Sequence, residues 1–190
     1  CDRPVTGKSN DDNLNLYAYK QQQLSQLMKN PGTGTRGKIG IPMVLNMYEL
    51  LPFWHAFFTN LGFQVIISPF SNRKLYQAGQ GSIPSDTVCF PAKLTHGHIM
   101  ALLKKDVDAI FYPCMSYNVD EGLGDNHYNC PVVAYYPEVL AGNIRELENT
   151  KFIYEYLNLE QRKDFVRLMP KIMQKYYPDL KTADIQNAIE

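Results

Sequence analysis

Hydrophobic positions are distributed unevenly along the chain, and the texture changes at residue 38. Residues 1–37 are polar and rich in Asn, Asp, Gln and Gly, with one candidate helix near residues 14–28, so they read as a strap or linker. From Lys38 onward, strand-length and helix-length apolar runs alternate. KIGIP predicts a strand at 38–42, and MYELLPFWHAFFTNLG predicts a helix at 47–61 closed by Gly62, with Pro52 placed in its first turn, where a missing N–H costs little. FQVIIS predicts a strand at 64–68, and a short helix is expected near 72–78. Leu94, Ile99, Leu102 and Leu103 recur at helical spacing and predict a helix at 93–104. DAIFYP predicts a strand at 108–112 and PVVAYYP another at 131–135, followed by a largely helical tail from Val139.

The alternation predicts an α/β fold: a mainly parallel, Rossmann-like doubly wound sheet with helices on both faces and a helical C-terminal tail. The expected organisation is a strap at 1–37, a cysteine-bearing α/β domain at 38–145 and a helical tail at 146–190 packed on it. Ligands of such a sheet are expected beyond the carboxyl ends of its strands.

Composition narrows the function classes. The chain has 190 residues, 45% hydrophobic, enough for a substantial core. Lys plus Arg and Asp plus Glu both number 19, so no net field draws in a nucleic-acid backbone or an anionic membrane. No apolar run is long enough to cross a bilayer, and no signal-peptide pattern opens the chain. The expected setting is cytoplasmic, without nucleic-acid or membrane partners. The chain begins at Cys1, which suggests processing or a piece of a longer protein; a mature bacterial lipoprotein also begins with cysteine, but the other cysteines lack the spacing of a disulfide framework.

Two motifs imitate nucleotide sites. GTGTRG at 32–37 matches a dinucleotide-binding turn, yet it precedes the first strand instead of following it and opening a helix. GKS at 7–9 lacks the upstream strand and glycine of a phosphate loop. The aromatic group Phe53, Trp54, Phe57 and Phe58 reads as core at helical spacing, and His55 as a partly buried or surface residue without a liganding neighbour.

The remaining candidates are cysteines. Cys89, Cys114 and Cys130 stand in CFP, PC and CP contexts, where proline fixes the backbone near the thiol. Cysteine followed by proline also occurs in iron–sulfur ligand runs. If their loops converge at one edge of a parallel sheet, three thiols with an open fourth position suit a [4Fe–4S] cluster. Core packing remains open for each of them, since free cysteine is often buried. Zinc remains open too, held by the three thiols with His96, His98 or His127, although no finger-like spacing is present. His96 and His98 alternate on one helix, so at most one reaches a common site.

IGIPMVLNMYELLPFWHAFFTNLGF, IPSDTVCFPAKLTHGHIM, DAIFYPC and NHYNCPVVAYYPEV together resemble the domain of unknown function in large bacterial acyl-CoA dehydratase activase-related proteins, relatives of the 2-hydroxyacyl-CoA dehydratases of anaerobes. The resemblance spans about residues 38–140, and CDRPVTGK with LYAYK resembles the segment before that domain. It implies a larger protein with an ATPase activase module as partner, and an iron–sulfur cluster that accepts or relays low-potential electrons for (2-hydroxy)acyl-CoA chemistry. It also implies that Cys89, Cys114 and Cys130 occupy the family's cysteine positions and Cys1 the cysteine preceding the domain. Lys93, His96, His98 and His127 are candidate donors around the cluster. The alternative is an interaction or acyl-CoA-binding module with structural or zinc-binding cysteines.

Overall fold

The computed structural model describes residues 15–190. After α1 (Leu16–Lys29), the chain alternates as the apolar pattern predicts: β1 (Lys38–Ile41), α2 (Asn46–Asn60), β2 (Gln64–Ile67), α3 (Arg73–Gly79), α4 (Phe90–Leu103) and β3 (Ala109–Phe111). Then follow β4 (Cys114–Met115), α5 (Pro131–Asn143), β5 (Lys151–Ile153), β6 (Tyr156–Leu157), α6 (Arg162–Tyr176) and α7 (Thr182–Ile189). β2, β1, β3 and β5 form one parallel sheet in that order, and β4 pairs with β6 in parallel. The α/β class, the parallel sheet and the C-terminal helices are therefore as expected.

Three local expectations are corrected. PVVAYYP is not a strand at 131–135: it forms most of α5, with Pro131 at the first helical position, where its fixed φ suits a helix start. Pro52 lies inside α2 and not in its first turn, because the helix starts at Asn46; the residue is on the exposed side, where water can take the carbonyl left unpaired. The stretch between α5 and α6 is not helical throughout, since it supplies β5 to the main sheet and β6 to the small one.

The two faces of the sheet are packed differently. Phe111 points to the α2 face, where its ring lies 4.6 Å from Trp54 and 4.9 Å from Phe58, so the aromatic group is core as expected. Phe165 of α6 extends that cluster, 6.1 Å from Trp54. On the opposite face α4 lies over β1, and a Cβ on Gly40 would meet Leu102 at 3.3 Å. His55 is buried, with Nε2 2.8 Å from the Asn30 carbonyl, tying α2 to the end of α1. The GTGTRG stretch makes a turn with positive φ at Gly32, Gly34 and Gly37, and leads into β1 as a connector.

α3 and α4 meet backbone to backbone. A Cβ on Gly97 would stand 2.1 Å from the Leu75 carbonyl oxygen, and one on Gly79 2.2 Å from the Gly97 nitrogen. No rotamer change relieves a clash with backbone, so the helices would have to separate. Gly97→Ala is expected to destabilise the protein by about 3 kcal/mol or more, read as a lower urea midpoint, whereas Gly81→Ala, with open space around it, should change stability by about 1 kcal/mol or less. Equal effects of the two substitutions would contradict this packing.

Candidate functional site

In an alternating parallel fold the connecting helices run back against the strands, so their N-termini gather at the carboxyl edge of the sheet. The chain passes from β1 to β2 on one side and returns to β3 on the other, which makes the β1/β3 boundary the switch point where a crevice opens. Cys114 follows β3 directly, and Cys89 and Cys130 are the N-cap residues of α4 and α5.

The two cap cysteines share one backbone conformation, with φ −60° and ψ 152° at Cys89 and φ −62° and ψ 153° at Cys130. Each is followed by a proline in the first turn, and neither helix start has a side-chain cap or an acidic residue in its first turn. The positive ends of both helices are thus left for whatever negative charge the thiols carry or hold. Both residues are exposed, while Cys114 is buried and its thiol is pushed up to about 12, chiefly by burial.

Cys114 and Cys130 are clamped together by their neighbours. Asn129 donates its side-chain amide to the Met115 carbonyl at 2.9 Å and its backbone N–H to the Ser116 carbonyl at 2.8 Å. Asn118 donates its N–H to the His127 carbonyl at 2.9 Å, and Tyr117 bridges Tyr128, so residues 116–129 form a closed excursion. Between this excursion and the first turns of α2 lies a cleft of about 580 Å³, lined by Glu49, Leu50, Glu121, His127 and Asn129 among others. His127 stands 3.4 Å from the Asp120 carboxylate on that wall.

Burial raises the Tyr136 phenol above its ordinary pKa, and the charge of Cys89 adds to the rise. Burial likewise raises Tyr112, and there the charges of Cys114, Tyr136 and Cys130 contribute. Among the described residues, no three His, Cys, Asp or Glu side chains stand close enough to share one metal ion. A four-iron cluster spreads its thiolates over separate irons, so its ligands stand further apart than ligands at about 2.3 Å on a single zinc. Cys1 lies outside the described residues.

The other candidates are held in place by specific bonds. Lys93 donates to the Asp86 carbonyl at 2.7 Å, steadying the loop before Cys89. Ser82 donates to the Gly79 carbonyl, so His96 donates through Nδ1 to Ser82 at 2.8 Å and its Nε2 accepts from Tyr136 at 3.0 Å. His96 is thereby tied to α5 through Tyr136. His98 faces elsewhere, with Nδ1 2.6 Å from Ser68, which accepts from the Met43 N–H, and Nε2 2.9 Å from Ser71. Tyr112, Tyr136 and Asn129 were not singled out from the sequence; the available signal was the i, i+2 spacing of Tyr112 and Cys114, which puts both on one side of an extended chain.

Burial pushes the His98 pKa down to about 4 from the ordinary 6.5. Because the folded value is depressed, protonation favours unfolding, and the contribution present above pH 6.5 is lost as pH falls towards 4. That loss is about 3 kcal/mol. The stability difference between the parent and His98→Gln, from urea melts, should shrink by about that amount between pH 7 and pH 4. A difference that does not change with pH would show that His98 is not buried as the neutral imidazole.

Comparison with curated proteins found no match, and comparison with solved structures found none. The family model of the CoA enzyme activase uncharacterised domain (DUF2229) matches residues 38–190, which takes in β1 through α7 and the three described cysteines. This chain is therefore a member of the family of CoA enzyme activase uncharacterised domains.

Proposed function

We propose that the chain holds a [4Fe–4S] cluster through Cys89, Cys114 and Cys130, and that it accepts or relays low-potential electrons from an ATPase activase module for (2-hydroxy)acyl-CoA chemistry. The observation that carries this reading is the placement of the three thiols, from three separate segments, at the carboxyl edge of a parallel sheet: Cys89 and Cys130 at the N-caps of α4 and α5, and Cys114 in β4 just beyond β3. Family membership supports the CoA enzyme context. When bound, such a cluster supplies one-electron chemistry and, with three thiolates, an iron open to a substrate oxygen or water.

The residues of the chain have distinct tasks in this reading. Cys89 and Cys130, exposed on uncapped helix N-termini, place their thiolates where the backbone amides favour negative charge. Cys114 anchors the inner side from a buried strand and has to lose its proton on binding, so assembly releases protons and is favoured by higher pH. Tyr117, Tyr128, Tyr135 and Tyr156 are exposed on the segments around it, with the Tyr128 and Tyr135 hydroxyls 3.2 Å apart. The burial of Cys114 favours a second reading, an acyl-CoA-binding or interaction module whose thiols are structural.

Anaerobic reconstitution with iron and sulfide separates the two. The parent should take up about four irons per chain and become brown, and Cys89→Ser, Cys114→Ser and Cys130→Ser should each lose most of that iron, serine being a poor substitute for thiolate. A parent that stays colourless, or three variants that load like the parent, would leave the binding-module reading in its place.

A further inference from the structure

Ser68, His98 and Ser71 form a polar chain that starts in the core and ends at the surface. Ser68 and His98 are fully buried, and Ser71 is exposed just ahead of α3. The Ser68 oxygen accepts from the Met43 N–H at 2.7 Å and lies 2.6 Å from His98 Nδ1, while His98 Nε2 lies 2.9 Å from the Ser71 oxygen. Hydrogen-bond accounting places the protons. Among the described residues the Ser68 O–H meets one acceptor, Nδ1, and leaving a buried hydroxyl unpaired is costly. Ser68 therefore donates to Nδ1, the neutral ring carries its proton on Nε2, and that N–H donates to the Ser71 oxygen. The Ser71 O–H is left to point away from the ring.

Ser71 lines a cavity of about 290 Å³ between α3 and α4. Arg73 and Tyr76 stand three residues apart on one face of α3, Phe90 and Leu94 stand four apart on one face of α4, and all four line the same cavity. The Phe90 ring is 57% exposed although it lies 5.3 Å from the Tyr76 ring. Arg73 makes no ion pair among the described residues. Asn72 lines the cavity too, but its side chain is spent on the Leu75 N–H and the Phe70 carbonyl.

The lining calls for a ligand with two parts. The Ser71 O–H and the Arg73 guanidinium are donors and call for an anionic acceptor, and a planar guanidinium matches the two oxygens of a carboxylate. Tyr76, Phe90 and Leu94 call for an apolar body, and the two rings suit an aromatic one. The volume lies at the lower end of the roughly 300–1,000 Å³ usual for ligand sites, so one ring on a short arm fills it.

We infer that this cavity binds a small aromatic carboxylate, with the carboxylate held by Arg73 and the Ser71 hydroxyl and the ring against Tyr76, Phe90 and Leu94. His98 is the positioning residue that aims the Ser71 hydroxyl. The inference stands independently of the cluster reading above.

The test is a titration of the isotope-labelled full chain with phenylacetate, followed by amide chemical shifts, with uncharged 2-phenylacetamide as the control. Phenylacetate should shift the amides of residues 71–76 and 90–94 and bind in about the millimolar range, the strength expected of about ten heavy atoms. The acetamide should bind about tenfold more weakly, since it lacks the charge that Arg73 meets. Arg73→Gln and Ser71→Ala change exposed side chains and leave the core intact, and each should weaken phenylacetate about tenfold. His98 is buried, so its role is read without substitution: a long-range proton–nitrogen spectrum should show the proton on Nε2. Unmoved amides at tens of millimolar phenylacetate would overturn the inference, as would equal binding of acid and amide, or variants that bind like the parent. A proton on Nδ1 would overturn the role given to His98.

Discussion

The ladder that carries β3 past Pro113 into β4 sets the position of everything at the candidate site. Tyr112 and Cys114 donate to Ile153 and Glu155, so the β3–β5 pairing continues into the β4–β6 pairing without losing its phase. Proline fits between them because alternate residues of a parallel strand offer their N–H groups to opposite neighbours, and β1, the neighbour on the other side, ends at Ile41. With the phase preserved, Phe111 faces the aromatic layer of α2, while Tyr112 and Cys114 face the α5 side. A slip of one residue would exchange those faces, placing a thiol among the rings and Phe111 among the cysteines.

The rest of the site is tied to that frame by polar bonds. Asn129 fixes Cys130 beside β4, and the bond from Tyr136 to His96 joins α5 to α4, the helix that Cys89 opens. The backbone contact of Gly97 with α3 in turn fixes α4. At the end of β1, Leu45 adopts φ 50°, and the amide of Asn46, only 9% exposed, has no partner for either atom. Strained backbone and an unpaired amide at the switch point agree with a site at this edge.

Much of this arrangement was legible in the pattern of the chain. Strands and helices from residue 38 to 112 lie within a few residues of their predicted places because apolar periodicity and flanking glycines mark both ends. PVVAYYP misled because a short apolar run between prolines has no decisive period, and Pro131 opens a helix as readily as it borders a strand. KFI, three residues with an exposed lysine, is too short to announce itself as β5. The cysteines stood out through their prolines, whereas Tyr112 was hidden in the run DAIFYP, since a tyrosine ending an apolar strand looks like any other core residue. His96 and His98 stood out as a pair, but their partners Ser82, Ser68 and Ser71 come from distant parts of the chain.

The central claim is that one cluster is held at this edge by three thiols. Electron paramagnetic resonance of the anaerobically prepared full chain, reduced with dithionite and quantified per chain, tests it most directly. The account predicts the spectrum of a single reduced four-iron cluster close to one spin per chain, perturbed when an acyl-CoA or other oxygen ligand reaches the open iron. A protein with no paramagnetic signal and stoichiometric zinc, or with neither metal, would contradict it.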